Sequence, residues 1–437
     1  MTQEMSAKPD DIFERRESSV RSYCRSFPVT FTKAEGSWIH DREGNKYLDF
    51  LAGCGSLNYG HNDPDMKQAL VDYITEGNIA HGLDMHTGAK EAFLKAFEEN
   101  ILKPRDMEDY VMMFTGPTGA NAVEAAMKLA RLATGRKTIL NFTNSFHGMT
   151  MGALAATCNR SKRAGAGGMP MCGTAVTPFD GYFGKDTDTI AMLDQMLTDP
   201  SSGFDLPAAV IVECIQGEGG LNAASTDWLR NLDKVCRKHD VRLIIDDIQA
   251  GCGRSGDYFA FEEAGIKPDM ITQAKSISGF GLPMAMLLVK RELDIFKPAQ
   301  HNGTFRGNNH AFVTGTVALE KFWKDDSFSK QVKEKAKLLR SRFEGMAERY
   351  GKDGDLTLRG RGIMQGIVFP NGEEADAVTA EAFKRGLIIE TSGGNDEVVK
   401  VLCALTISED DLNHGLDLLE ASIAKIRGQE APAKAAE

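Results

Sequence analysis

Lys275 stands at the end of an apolar run in DMITQAKSISGFGLPM (Asp269 to Met284), where SISGFG cannot continue a regular element. Gly279 and Gly281 permit close backbone approach or positive φ, and Pro283 stops a helix. A lysine at a strand end, capped by a Gly-rich turn, is suited to hold a carbonyl compound covalently. Burial lowers its pKa, and the neutral amine is the nucleophile. Most lysines are solvated surface cations, so this stretch alone decides nothing.

Other strand-end motifs add the missing chemistry. TGPTGAN (Thr115 to Asn121) places small residues ahead of VEAAMKLAR, and the backbone N–H groups and dipole of such a helix start favour a phosphate. NSFHG (Asn144 to Gly148) puts Phe146 and His147 on a tight loop, although core packing is the plainer reading of the phenylalanine. LIIDD ends a strand on Asp246 and Asp247, which alternation turns to opposite faces, one toward a site and one toward the turn. QGEGG (Gln216 to Gly220) sets Glu218 among glycines, and HNGTFRGNNH (His301 to His310) is too polar for a core. Pyridoxal phosphate accounts for these parts together. It needs a lysine for its aldehyde, a cradle for its phosphate, an acid to keep its ring nitrogen protonated and an apolar face against the ring.

The elements that must position these residues follow from periodicity. Apolar runs of four to seven residues (DYVMMF, KTILNFT, AAVIVE, VRLIID, MITQA, PMAMLLV) alternate with helical sequence. That predicts an α/β fold with a mainly parallel sheet covered on both faces, its loops gathered at the strand ends where ligands bind. Two strand-like runs, PVTFTKAEG and SWIHDREGNKYLDFL, predict a small N-terminal sheet after an amphipathic stretch from Ile12 to Arg25. A helix from about Thr314 leads to LRGRGIMQGIVF, LIIETSGG and VVKVLCALTIS, three predicted strands of a smaller α+β domain. The predicted organisation is a flexible segment 1–11, an N-terminal segment 12–75 of the small domain, a large domain 76–313, a C-terminal small domain 314–427 and a disordered tail 428–437.

At 437 residues and 42% hydrophobic, the chain can bury a large core. A formal net charge of -11 argues against general nucleic-acid or anionic-membrane binding. No apolar run is long enough to span a bilayer, and MTQEMSAKPDD lacks the features of a secretory signal, which predicts a cytoplasmic protein. The eight cysteines form no CxxC pair and the nine histidines no HxxxH or HExxH spacing, so neither a disulfide frame nor a metal site is expected.

With these motifs in hand, the chain resembles a fold-type I, class III (omega-type) aminotransferase over roughly residues 12–425. LIIDDIQAGCGRSG (243–256), the lysine loop 269–284 and the phosphate helix 118–131 carry the resemblance. It implies a large domain with a seven-stranded sheet and a small domain drawn from both termini. It also implies pyridoxal 5'-phosphate held by Lys275, Asp246 beneath the ring nitrogen, Gln249 near the phenolic oxygen, Phe146 with His147 at the ring, and Gly119, Ala120 and Asn121 at the phosphate. Thr304 would reach the phosphate of a neighbouring subunit, so self-association with a shared site is implied.

Departures from the family pattern bear on substrate. TGAN carries Asn121 where the family has an acid, GTFRGNN adds Arg306, and VVKVLCALTI places Lys400 where an arginine commonly grips an α-carboxylate. Lysine lacks the bidentate fork, so carboxylate recognition is weakened or moved, with Arg306 a compensating candidate. These features, with LAGCGSLNYGHNDP, HGLDMHT and DGYFG, are similar to the subgroup that moves the amine of glutamate to L-aspartate 4-semialdehyde and opens ectoine biosynthesis. Glu218, matching the family's gating glutamate, would then neutralise a nearby cation when no carboxylate is bound. Rival readings are an omega-aminotransferase for ornithine, 4-aminobutyrate or siderophore-pathway diaminobutyrate, an aminomutase or decarboxylase on the same fold, and a cofactor-binding regulator without turnover.

Overall fold

The computed structural model describes residues 11–431; most of the two predicted flexible ends, 1–10 and 432–437, lies outside the described residues. Ile139–Phe142, Ala209–Val212 and Met270–Gln273 are buried at every position, and Arg242–Asp246 at all but its first. Continuous burial is the mark of strands covered on both faces. Across the seven-stranded sheet the order is Tyr110–Phe114, Met286–Lys290, Met270–Gln273, Arg242–Asp246, Ala209–Val212, Ile139–Phe142 and Thr174–Thr177. Met286–Lys290 runs antiparallel to both of its neighbours; the remaining pairs are parallel.

Alternation divides these side chains between two cores. Ile211 and Ile244 join Val123, Ala126 and Met127 of the helix Gly119–Thr134. Val210, Leu243 and Ile245 join Trp228 and Leu232 of the helix Thr226–Lys238. Each fully buried aliphatic side chain is worth about 1.5–3 kcal/mol over exposure, so the strand ends that carry the loops are firmly seated. Asp246, two residues beyond Ile244, takes the face of the Gly119–Thr134 helix.

A four-stranded antiparallel sheet, in the order Thr357–Arg361, Met364–Val368, Val398–Val401 and Glu390–Ser392, forms the small domain with its helices Gly372–Lys384 and Glu409–Arg427. The N-terminal strands Phe31–Glu35, Trp38–Asp41 and Lys46–Asp49 pair in sequence, and Leu387–Ile388 adds a parallel fourth strand, so both termini build this part of the molecule.

Several elements differ from expectation. LIIETSGG is two strands serving two sheets, because the chain passes from one to the other at Ile389. LRGRGIMQGIVF is a hairpin, with Gly362 at φ +65° in its turn. SWIHDREGNKYLDFL divides at the turn around Gly44, whose φ is +89°. Thr174–Thr177, an edge strand with a polar residue at either end, was not anticipated. The amphipathic stretch near the N-terminus is helical only over Ile12–Arg16 and Tyr23–Ser26. The helix expected from Thr314 begins at Asn309, so the 313/314 boundary falls inside it. No helix among the described residues is long and apolar enough to cross a membrane.

Candidate active site

The strand ends surround a cavity of about 450 Å³, within the range of small-molecule sites. Lys275 lines it from the turn after Met270–Gln273, with its backbone at φ +51°, a region non-glycine residues avoid unless the surroundings impose it. Those surroundings are visible. Ser276 Oγ donates to Gly55 O (2.8 Å) and accepts from Asn58 N (3.1 Å), and Thr314 Oγ1 donates to Ser278 O (2.6 Å). The lysine turn is thus tied to the 51–60 loop and to a helix. Burial, with help from Lys400, holds the Lys275 pKa below its ordinary value against the opposing pull of Glu218, Cys54 and Asp246. No described group hydrogen-bonds its amine.

Asp246 lies at the cavity floor with its oxygens committed. Oδ2 accepts from His147 Nδ1 (2.6 Å), and Oδ1 accepts from Thr272 Oγ1 (3.1 Å) and Ile248 N (3.3 Å). Burial opposes the charged His147 ring, but the bond to Asp246 and the charges of Asp246 and Glu213 outweigh it, leaving the pKa raised. Asp247 faces the other way and accepts from Ala260 N (3.1 Å), the division that alternation predicts. Phe146 lines the cavity, half-buried and with no aromatic partner among the described residues. Gln249 donates to Cys54 O and Glu218 Oε1, both at 3.3 Å, while its own Oε1 is buried without a partner.

At the opposite wall the helix Gly119–Thr134 begins. Thr118 caps it by accepting from Asn121 N, and no described group accepts from the N–H of Gly119 or Ala120. A Cβ at Gly119 would stand 2.9 Å from Ile248 Cδ1, so any larger residue there would make the Ile248 side chain shift. Asn121, expected at the phosphate, does not line the cavity. Its Oδ1 turns back to accept from Thr118 Oγ1 (2.8 Å), as a first-turn side chain does when a cap is within reach.

Lys400 and Glu218 meet. The lysine side chain is fully buried in the strand Val398–Val401, and its Nζ donates to Glu218 Oε1 at 3.1 Å. Glu218 lines the cavity and Lys400 does not, so the acid stands between the cation and the open space. Lys400 draws the Glu218 pKa down to about 2 against its burial. Thr304 and Arg306, by contrast, do not line this cavity. Thr304 is exposed, and Arg306 Nη1 donates to His301 O and Asn302 Oδ1, both at 3.4 Å, because 301–308 runs outward before the Asn309–Phe322 helix.

Two acids escaped the sequence reading. Glu213, at the end of Ala209–Val212, accepts from Phe146 N (2.9 Å) and Gly217 N (3.2 Å), joining the ring loop to the Glu218 loop; burial pushes its pKa up to about 7. Glu390 lies 3.0 Å from Lys400 Nζ. The signal for Glu390 was a lysine inside VVKV, which demands a counter-ion, beside a strand that opens on an acid. Among the described residues no three His, Cys, Asp or Glu side chains gather as a metal site requires.

Comparison with known proteins decides the family. The model of aminotransferase class III matches residues 20–423. The chain belongs to the class-III aminotransferases. A diaminobutyrate–2-oxoglutarate transaminase of Halomonas elongata is 55% identical over 412 residues, covering 94% of this chain and 98% of that protein. One from Bordetella parapertussis is 54% identical over 423 residues, covering 97% of each. The crystal structure of an S-selective transaminase from Bacillus megaterium superposes with a TM-score of 0.84 over 96% of this chain and 98% of that one, at 22% identity, a likeness of fold.

A class-III aminotransferase works with pyridoxal phosphate, and the cavity fits that group. It offers two N–H groups without acceptors at a helix start, a carboxylate at its floor, an aromatic face and an amine without a hydrogen bond. Gly119 and Ala120 would hold the phosphate, Asp246 with His147 the ring nitrogen, Phe146 the ring face and Lys275 the aldehyde. When bound, the cofactor supplies a carrier for the amine and a ring that delocalises the electrons left when a C–H proton is removed.

Proposed function

We propose that this chain transfers the amino group of L-glutamate to the terminal aldehyde carbon of L-aspartate 4-semialdehyde, giving 2-oxoglutarate and L-2,4-diaminobutyrate. The observation that carries the reading is a buried Lys400 covered by Glu218 at the cavity edge. Glutamate reacts at a carbon that bears a carboxylate; the semialdehyde reacts at one that does not. A cation covered by the chain's own acid serves both, because Glu218 yields to a substrate carboxylate and returns when none is present. The names of the Halomonas and Bordetella relatives give diaminobutyrate and 2-oxoglutarate, the two products of this reaction. The product is the diamine from which ectoine synthesis proceeds.

The residue roles follow. Lys275 Nζ takes the proton from the substrate's reacting carbon and returns it, a task for which an amine of lowered pKa is suited. Asp246, oriented by His147 and Thr272, would hold the proton of the ring nitrogen. Gln249, which lines the cavity with its Oε1 unpartnered, would face the phenolic oxygen. The exposed apolar side chains of Ile79, Leu83, Met85 and Phe305 form the contact with a second copy of this chain, to whose site Thr304 and Arg306 are offered.

The test is product identification with purified holoenzyme, glutamate and aspartate 4-semialdehyde, run beside ornithine and 4-aminobutyrate as competing donors. Diaminobutyrate and 2-oxoglutarate forming one for one, with the competitors slow, is the expected result. Preference for ornithine or 4-aminobutyrate would leave an aminotransferase but overturn these substrates.

A further inference from the structure

Lys400 has two acids and one directed hydrogen bond. Its Nζ donates to Glu218 Oε1, whereas Glu390 Oε1, at a similar 3.0 Å, lies off the line a hydrogen bond needs. That oxygen is buried and has no hydrogen-bond partner among the described residues. It contributes charge, and it is placed to take a directed bond as soon as one is released.

The two acids are mounted differently. Glu390 opens the strand Glu390–Ser392 and is paired directly opposite Lys400 in the antiparallel ladder, so its side chain shares the lysine's face and stays there. Glu218 rides a turn and is 32% exposed, against 11% for Glu390. Its neighbours are packed hard. A Cβ on Gly217 would stand 1.6 Å from Gln249 Oε1, and one on Gly219 would stand 2.1 Å from Asn144 O. The turn's backbone is therefore closely packed, and Glu218 would move by its side chain, leaving its bonds from Lys400 and Gln249.

An ammonium as deep as Lys400 would pay heavily if Glu218 left and no second acid stood by, because an uncompensated buried charge would remain. We propose that Glu390 is a standby counter-ion, a positioning residue that holds Lys400 while Glu218 turns aside to admit a substrate carboxylate. This rests on the proposed reaction, in which that carboxylate and Glu218 occupy Lys400 in turn. Glu390 repels whichever of the two is present to a similar degree, so it changes the equilibrium affinity little. What it lowers is the free energy of the interval when neither is there. Burial raises the Glu390 pKa, with Glu218 adding to the shift and Lys400 opposing it. Departure of Glu218 removes a repelling neighbour and leaves Lys400 to keep Glu390 ionised. A half-reaction at a carbon without a carboxylate leaves the Glu218–Lys400 contact closed and does not call on Glu390.

The experiment follows both half-reactions of the holoenzyme by stopped-flow absorbance of the cofactor, with glutamate and with 2,4-diaminobutyrate. It also measures association and dissociation of glutarate, a dicarboxylate without a reacting amine. Glu390→Gln is expected to lower the second-order rate constant for glutamate about tenfold or more, and to leave that for diaminobutyrate within about twofold. Glutarate should enter and leave more slowly by a common factor, with Kd unchanged within about twofold. Glu390→Asp, which keeps the charge, should restore most of the glutamate rate. Glu390→Met, uncharged and of similar length, must match the Gln variant and stands in for it if that protein does not fold. Equal slowing of both half-reactions, no slowing with glutamate, or a weaker glutarate Kd with an unchanged association rate would overturn the proposal. A wild-type enzyme that takes no amine from glutamate would remove the proposed reaction instead, and glutarate exchange alone would then decide the role of Glu390.

Discussion

Lys275 works where burial and the nearby Lys400 both press its ammonium toward the neutral form, and where no neighbour claims its hydrogen bonds. Lys275→Ala should lower turnover by at least about 10²–10⁴-fold, the range typical of a lost proton-transfer group. Borohydride should no longer fix the cofactor to the protein, as mass spectrometry would read. Retained fixation would assign the aldehyde to another lysine. Glu213 offers a test through pH. Burial raises its pKa from 4.5 to about 7, so the folded protein binds this proton more tightly than the unfolded chain does. The associated stability is complete below about pH 4.5 and is lost as pH rises through 7, by up to roughly 3 kcal/mol. Glu213→Gln does not titrate. Its melting temperature relative to wild type should therefore climb between about pH 5 and 7.5, whatever the constant offset from the altered hydrogen bonds. A constant difference across that range would mean that Glu213 is ionised throughout.

Among elements, the turns at strand ends are the least tolerant of added volume. Gly219→Ala would drive a Cβ against the backbone oxygen of Asn144, a neighbour that cannot rotate away. The expected cost is about 1–3 kcal/mol, with a raised KM for glutamate because Glu218 and Phe146 sit on the two loops forced apart. Gly345→Ala is the matched control. It lies exposed in the helix Ser327–Tyr350 with nothing within 4 Å of the added methyl, and should stabilise by about 0.5–1 kcal/mol. Thermal melts of the pair, read with glutamate kinetics, check both. The same contrast explains what could be read in advance. Lys275, Asp246 and Phe146 were legible because each closes an apolar run with a polar or glycine-rich turn, a purely local pattern. The chain itself joins those turns at one sheet end. Glu390 was only half legible: a lysine inside VVKV demands a counter-ion, but strand pairing and not spacing decides which acid supplies it. The split of LIIETSGG was hidden for the same reason, since nothing local tells Leu387–Ile388 and Glu390–Ser392 that different sheets await them. Asn121 does not line the cavity, and its capping bond from Thr118 is a contact that the motif alone did not announce. Arg306 was drawn toward the site by its charge, but its segment leads away from this chain's own cavity.

At the scale of the molecule, one group of exposed apolar side chains lies beside the segment that carries Thr304 and Arg306. Phe305 is 64% exposed, with Met85 at 55% and Ile79 at 54%, and the Phe305 ring packs edge-on against His81. Side chains of this size left in water favour association. Phe305→Asp should shift the sedimentation profile toward a smaller species and reduce turnover in parallel. A smaller species with full activity would show that each copy is sufficient alone.

The parallel strand Leu387–Ile388 closes a sheet whose other three strands lie within the first fifty residues, pairing Leu387 with Leu48. During synthesis the edge at Lys46–Asp49 therefore stays open until nearly the whole chain has left the ribosome, an interval on the order of tens of seconds. An unpaired edge is a site where nascent chains adhere to one another. Chains stalled before residue 386 should leave the N-terminal strands open to protease, and chains extended past the closing strand should protect them. A stretch made late is thus what makes the first strands safe from aggregation.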